Sequence, residues 1–294
     1  MNLMKYKVWY FVFSLLIILP GLYFLITSGL KLGIDFTGGA LLEYSFEKSI
    51  SANDLKEQIS SQGIEVGQIT PSSDDTFIIR TKPLEQDKLN KLKVNLNEKF
   101  GNVIERRQEF VGPVIGSELR QKAIIAVSLA SLVIVLYIAF SFRKIPKPAS
   151  SWRFGIAAVV ALIHDIIVVI GAFAILGKFL GVEVDTLFVT ALLTVIGFSV
   201  HDTIVVFDRI RENLAKHMGR KFIDVANLSV VQTLGRSLNT SLTVIFVLIA
   251  LLLFGGETLK WFVVALLVGV VSGTYSSIFN ATALLVWWEE KLGH

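Results

Sequence analysis

The sequence predicts an all-α membrane bundle of six helices, with one extracytoplasmic α+β domain between the first and second spans. The chain has 294 residues, of which 53% are hydrophobic and 18% are charged. A soluble domain has roughly 45–50% apolar residues and about a quarter charged ones. The apolar excess is grouped in six runs, each about the length that crosses a bilayer, and a long charged segment separates the first two runs.

The six runs set the domain boundaries. They are Val8–Thr27, Ala123–Phe142, Phe154–Leu176, Thr186–Phe207, Leu238–Gly255 and Trp261–Trp288. The first run is longer than the apolar core of a signal peptide and has no small-residue cleavage site, so we predict an uncleaved first span. The chain then divides into a first helix (1–27), an inserted domain (28–122) and five further spans (123–294).

Basic residues in the short loops predict the orientation. They are concentrated before the first span, in the segment 143–153 and in the segment 209–221, whereas the loops on the other side have only Lys178 and Lys260. Cytoplasmic loops are enriched in Lys and Arg. Both termini are therefore predicted to be cytoplasmic and the insert to lie outside. The net charge of +4 is explained by these loops and does not indicate a nucleic-acid partner.

The insert has the pattern of a ferredoxin-like βαββαβ domain. Strands are predicted at Ala40–Phe46, Val66–Pro71, Thr76–Thr81 and Val103–Val111, with a turn at 72–75 between the second and third. One helix follows the capping residue Ser51 and ends before Gly63. The other, Gln86–Phe100, has leucines at helical spacing.

Ionisable residues inside a membrane span are costly and need a partner or a function. The fourth run carries His201 and Asp202 near its cytoplasmic end. The fifth helix is predicted to begin at Leu234, and its polar residues share one face that we expect to pack against protein: Arg236, Asn239, Thr240 and Thr243. An Asp202–Arg236 ion pair is predicted. The pair either holds two helices together or contains a titrating carboxylate whose pKa depends on its distance from the arginine.

The third run carries His164 and Asp165 near its middle. Two interpretations remain open: a hydrogen-bonded pair that holds helices together, or a secondary station of a proton relay. A metal site with His201 and Asp202 is not predicted, because neither pair has the i, i+4 spacing that places two ligands on one helix face. The sequence contains no Cys, which excludes thiolate ligands.

Small residues mark two further segments. Gly269, Gly273, Ser276 and Asn280 lie along the sixth span, where they favour close helix packing or line a water path. The segment 33–39, which includes Asp35, Gly38 and Gly39, follows the first span and lacks the spacing of a phosphate loop. We expect it to be closely packed backbone that couples the outer domain to the spans.

Five segments in this order resemble the SecF family of protein-export membrane proteins, within the resistance–nodulation–division superfamily. They are Gly33–Gly39, Val111–Gly116, Leu162–Asp165, Ile196–Asn213 and Arg236–Ser241. The sequence departs from the family pattern at Phe198, where Tyr is frequent, and at His201, where Asn is usual. The departures leave the chemistry around Asp202 open.

The resemblance implies a subunit that uses the proton motive force to assist Sec-dependent export across the bacterial or archaeal cytoplasmic membrane. It implies ion coupling through Asp202 and Arg236, with His201 as a further candidate. It also implies a SecD-like partner that carries a second carboxylate, and contacts with the SecYEG translocon, the exported polypeptide and membrane lipid. No enzyme activity and no cofactor other than the coupling ion is expected. The rival hypotheses are a proton-coupled exporter of a small molecule or lipid, and a scaffold without ion coupling.

Overall fold

The fold is described from a computed structural model that covers residues 2–73, 75–143, 145–146 and 149–291. The helices are α1 (Lys7–Thr27), α2 (Ile34–Thr37), α3 (Ala52–Ser60), α4 (Gln86–Phe100), α5 (Pro113–Ser141), α6 (Ser151–Leu180), α7 (Thr186–Lys216), α8 (Phe222–Phe254), α9 (Glu257–Tyr275) and α10 (Ala281–Lys291). The strands are β1 (Gly39–Phe46), β2 (Val66–Ser73), β3 (Thr76–Thr81) and β4 (Val103–Val111). Two compact units result: Leu32–Ile124, and the remainder of the chain.

Six helical segments in the described residues are long and apolar enough to cross a membrane, which confirms the predicted number of spans. The first five are α1 with the preceding short turn, α5, α6, α7 and α8. The sixth joins α9, a π turn (Ser276–Asn280) and α10 into one segment, Thr258–Lys291. Much of the surface of α1 and α5 consists of exposed large hydrophobic side chains, as lipid contact requires.

Two helices begin several turns before their apolar runs. Helix α8 begins at Phe222 rather than Leu234, because its first three turns are amphipathic: Ser229 is buried and accepts a hydrogen bond from Asn213 of α7 at 2.9 Å. Helix α5 begins at Pro113, a residue type favoured in the first turn. A hydropathy run reports the apolar part of a helix and misses a polar extension of it.

The smaller unit is a four-stranded antiparallel sheet with strand order β2-β3-β1-β4 and one helix in each crossover. Its core is formed by alternate residues of β1, including Leu42 and Tyr44, together with Leu92 and Leu96 of α4. Ser51 caps α3 by accepting a hydrogen bond from the Asp54 amide at 3.1 Å. Strand β2 extends to Ser73, into the predicted turn; Asp74 of that turn lies outside the described residues.

The glycine-rich segment packs against the start of α5 within this unit. Asp35 lies in the first turn of α2, and Gly38 and Gly39 follow with φ values of +73° and +144°. A Cβ added at Gly38 would lie 2.8 Å from the Cα of Pro113, and one added at Gly116 would lie 2.8 Å from the Gly38 nitrogen. The positive φ angles and the close backbone approach both require glycine here.

The third, fourth and sixth spans (α6, α7, and α9 with the π turn and α10) form the buried part of the bundle. A Cβ added at Gly269 of α9 would overlap Val195 of α7, and Gly273 faces Ser199 of α7. Helices α1 and α6 also approach closely, at Gly21 and Gly171. These contacts bring the polar residues of three spans to one place.

Candidate functional site

Asp165 is the most completely hydrogen-bonded carboxylate among the described bundle residues. Its side chain is fully buried in the middle of α6. The Ser199 hydroxyl donates to Oδ2 at 2.5 Å and that of Ser276 at 2.6 Å, while Ser272 donates to Oδ1 at 2.7 Å. His164 Nδ1 lies 2.9 Å from Oδ1. We call these five residues the Asp165 cluster.

The cluster joins three spans through one charge. Ser199 belongs to α7, Ser272 to α9 and Ser276 to the π turn. A Cβ added at Gly273 would meet Ser199 Cβ at 3.1 Å and Asp165 Oδ2 at 3.6 Å. The added Cβ would therefore crowd Ser199, whereas its distance to the carboxylate is an ordinary van der Waals contact. Three hydroxyl donors and one imidazole nitrogen contact the two carboxyl oxygens, and hydrogen bonds to a charged group are stronger than those between neutral groups.

A hydroxyl network continues from the cluster along α7. Ser277 of the π turn donates to the Ser199 carbonyl at 2.9 Å, and its hydroxyl lies 2.8 Å from that of Thr203. Asn280, at the end of the π turn, donates to Ser14 of α1 at 2.6 Å. The predicted small-residue stripe thus lies at the contact of α9 and the π turn with α1, α6 and α7.

Asp202 lies in a looser environment in α7. It is only 1% exposed, but its polar contacts are long: Ser241 of α8 donates at 3.4 Å, and His201 Nδ1 lies 3.6 Å away. The Ser241 hydroxyl has a shorter contact, 2.6 Å, with Thr274 of α9. The His201 side chain is 65% exposed. Asp202 therefore has weaker hydrogen bonding than Asp165 at nearly the same burial.

The predicted Asp202–Arg236 ion pair is wrong for this chain. Arg236 lines an open cleft of about 500 Å³ between α7 and α8, together with Asp208, Arg209, Glu212, Gln232, Thr233, Ile204 and Val205. Among the described residues, no carboxylate lies within ion-pair distance of it. Position along a span sets depth only: Arg236 is exposed and lines the cleft, whereas Asp202 is buried and is not among the residues that line it.

The polar stripe of α8 does not pack against the described residues of this chain, so its packing against protein stays a prediction. Arg236, Asn239, Thr240 and Thr243 are all exposed. The Thr240 hydroxyl donates to the Arg236 carbonyl at 3.0 Å and that of Thr243 to the Asn239 carbonyl at 2.7 Å. Threonine hydroxyls are satisfied on their own helix in this way, whereas the Arg236 guanidinium and the Asn239 amide have no hydrogen-bond or ion-pair partner among the described residues.

The prediction from sequence missed Ser272, Ser241 and Thr274, and used Ser199 only as part of a motif. A signal for Ser272 is present: it falls at the i+3 position from Gly269 and four residues before Ser276, on one helix face. No sequence signal links Ser241 to Asp202, because that contact depends on how α8 packs against α7.

Comparison with known proteins identifies the relatives. Residues 91–291 match the family "Protein export membrane protein SecD/SecF, C-terminal", and residues 23–50 match the "SecD/SecF GG Motif". The protein translocase subunit SecF of Thermobaculum terrenum is 49% identical, covering 99% of this chain and 94% of its own length. The SecF subunit of Anaerolinea thermophila is 43% identical, with 98% and 94% covered.

Solved structures of SecDF also match. SecDF from Thermus thermophilus, described as a translocon-associated membrane protein, superposes with a TM-score of 0.87 at 33% identity over 99% of this chain. SecDF in its super-membrane-facing form gives 0.71 at 31% identity over the whole chain. In both comparisons this chain spans 39% of the SecDF chain, so it corresponds to less than half of that protein.

Proposed function

This chain belongs to the SecD/SecF family of protein export membrane proteins, and we propose that it is the SecF-type subunit of a two-chain complex that assists Sec-dependent protein translocation. The single observation that carries the proposal is the near full-length similarity to SecF subunits, 49% identical over 99% of the chain. The proposed site is the cytoplasmic membrane, with both termini inside. The antiparallel sheet unit is then a ferredoxin-like domain outside, where it meets the exported polypeptide.

The exposed polar groups of α8 support a second chain in the membrane. Arg236 and Asn239 are exposed near the start of the apolar part of α8, and an unsatisfied polar group in hydrocarbon costs several kcal/mol. The cleft beside Arg236 already contains Asp208 and Glu212 of this chain. We infer that a SecD-like bundle covers this face and supplies the contacts that the stripe lacks, and that the complex acts beside the SecYEG translocon.

The coupling step is assigned to Asp202, with the proton as the coupling ion. A charged group must change its protonation state during the cycle, and the long contacts to Asp202 leave more freedom for this than the four bonds to Asp165. The exposed His201 beside it is the route by which a proton reaches the carboxylate from the face that the partner covers. A proton that moves down 100 mV supplies about 2.3 kcal/mol, similar to a typical coupling energy of ~1–3 kcal/mol.

The experiment measures gradient-dependent export in cells that depend on this chain. Asp202→Asn is expected to abolish the gradient-dependent part, because an amide carries no titratable proton. Asp224→Asn makes the same chemical change at an exposed carboxylate in the first turn of α8, and this matched control is expected to keep the gradient-dependent part. Full gradient-dependent export with Asp202→Asn would refute the coupling role.

A second measurement distinguishes an ion-coupled subunit from a membrane scaffold without ion coupling. Proton flux is followed in vesicles that contain the chain with its co-purified partner, with and without Arg236→Ala. We expect the flux to fall in the variant because Arg236 controls the charge at the face between the two chains. Unchanged flux in Arg236→Ala would assign the arginine to packing alone.

A further inference from the structure

The buried side of α8 carries four hydroxyl side chains in a row. Ser229, Thr233, Ser237 and Ser241 are all buried and follow one another at intervals of four residues, which places them on one face of the helix. We call these four residues the hydroxyl row of α8. Its last member, Ser241, contacts Asp202 of α7 at 3.4 Å. The row therefore leads from the proposed coupling carboxylate towards the start of α8.

The other end of the row reaches the open cleft between α7 and α8. Thr233 lines this cleft, together with the carboxylates of Asp208 and Glu212. The Thr233 hydroxyl donates to the Ser229 carbonyl at 3.0 Å, which leaves the lone pairs of its oxygen available to accept. A proton that arrives at this end can pass to a carboxylate or to solvent in the cleft.

Ser237 lies between these two ends, and its hydroxyl is the one in the row without a hydrogen-bond partner among the described residues. The residue is 1% exposed and its side-chain oxygen is buried. The other three hydroxyls each bond to a carbonyl or to another side chain. Burial of an unpartnered hydroxyl is unfavourable, and ordered water is the common partner where the protein supplies none.

The spacing of the row fits single water molecules. Residues four apart are separated by about 6 Å along a helix axis, and two hydrogen bonds of about 2.8 Å between hydroxyls and one water span nearly the same distance. One water between Ser241 and Ser237, and another between Ser237 and Thr233, complete the row. Each water then has a hydroxyl on either side, which meets the minimum number of polar partners that a buried water needs.

We propose that Ser237 binds water and completes a hydrogen-bonded path along which Asp202 releases its proton into the cleft. The proposal rests on the proposed function in one respect, that Asp202 gives up a proton in each cycle. The carboxyl passes its proton to Ser241. Each hydroxyl or water then accepts a proton on a lone pair and donates its own to the next, so no member of the row keeps a charge. His201 remains the point of entry, and the row is the exit.

The first experiment measures water access in the full chain, purified with its partner in lipid nanodiscs. Ser237→Cys places a thiol where the hydroxyl was, and the sequence has no other Cys. Exchange of the thiol hydrogen in D2O is followed by the S–H stretch in the infrared, as a difference from the unmodified complex. Val230→Cys is the matched control, because Val230 is fully buried on the same helix and lies nearer to its start.

The thiol at position 237 is expected to exchange at least about tenfold faster than the thiol at position 230, because water reaches it without local opening of the helices. Equally slow exchange at both positions would overturn the proposal. Equally fast exchange would overturn it as well, since it would show that α7 and α8 separate along their whole contact.

The second experiment compares two side chains of nearly equal shape in the proton-flux assay. Ser237→Thr keeps the hydroxyl, whereas Ser237→Val replaces it with a methyl group. The flux is expected to fall about tenfold in Ser237→Val, the effect of one hydrogen bond on a barrier, and to stay close to the unmodified value in Ser237→Thr. A role in packing alone would change both variants equally, so equal flux in the two would contradict the path.

Failure of this proposal and failure of the proposed function give different results. Fast exchange at position 237 in a complex that carries no proton flux would refute ion coupling and support the water at Ser237. Loss of gradient-dependent export in Asp202→Asn, together with equal flux in the two Ser237 variants, would support ion coupling and refute the path.

Discussion

Asp165 and Asp202 are two carboxylates at nearly equal burial in adjacent helices, and they differ in almost everything that surrounds them. Asp165 accepts three hydroxyl bonds of 2.5–2.7 Å and lies beside a histidine that is itself largely buried. Asp202 has one hydroxyl at 3.4 Å and lies beside a histidine that is 65% exposed.

The difference separates two ways of keeping a charge in a membrane. A carboxylate with all its acceptor sites filled is held in one place and binds the helices that supply the donors. A carboxylate with long contacts beside an exposed imidazole is stabilised less by hydrogen bonds with the protein. A change in its protonation state therefore costs less free energy. We therefore expect the two residues to respond oppositely: stability depends chiefly on Asp165, and gradient coupling on Asp202.

The largest expected effect tests this contrast directly. Asp165→Asn replaces charge-assisted bonds by neutral ones and leaves at least one serine hydroxyl without its acceptor, for an expected loss of about 3–5 kcal/mol. Asp202→Asn is expected to change the free energy of unfolding by less than about 1 kcal/mol. Reversible unfolding in mixed micelles, followed by tryptophan fluorescence, measures both. Equal losses in the two variants would show that burial alone sets the effect.

A smaller effect is expected from the packing that places the serines. Gly269→Ala introduces a methyl group that overlaps Val195, so α9 moves away from α7, with an expected loss of about 1–3 kcal/mol. Val195→Ala in the same chain is expected to restore most of it. Gly197→Ala is the control, because an added Cβ there meets nothing within 4 Å. A Gly269→Ala chain as stable as the unmodified one would mean that the contact is not tight in solution.

The spans and the strands were predictable because their signals are local. Six apolar runs and the alternation in β1 depend on residues near one another in sequence, and helix Gln86–Phe100 and strand Val103–Val111 have the predicted bounds. The start of α8 was missed because its first turns bury hydroxyl and amide side chains that bind α7, which hydropathy does not register.

The site was predictable only in part. Ionisable residues in apolar runs identified Asp165 and Asp202 as costly positions. Their partners depend on helix rotation and on one extra residue in the π turn, and neither is encoded in a local pattern. The sequence indicates Arg236 as the partner of Asp202 on depth alone, whereas in the structure Ser241 contacts that carboxylate. The spacing of Ser272 from Gly269 and Ser276 is a signal that the sequence contains, but no pattern ranks Ser199 above other small helical residues.

The smallest expected effects are the interaction energies between each carboxylate and one serine that donates to it. Ser199→Ala removes a 2.5 Å bond to Asp165, for an expected loss of about 1.5–3 kcal/mol, whereas Ser241→Ala removes a 3.4 Å bond to Asp202, for less than about 1 kcal/mol. Double-mutant cycles isolate each pair: about 1–2 kcal/mol of interaction energy is expected between positions 165 and 199, and less than about 0.5 between 202 and 241. The Ser241 hydroxyl has Thr274 as its nearer partner. Removal of that hydroxyl therefore weakens the α8–α9 contact rather than the hydrogen bonding of Asp202. A strong 202–241 interaction would place Asp202 among the fixed charges and require the changing proton to be sought elsewhere in the bundle.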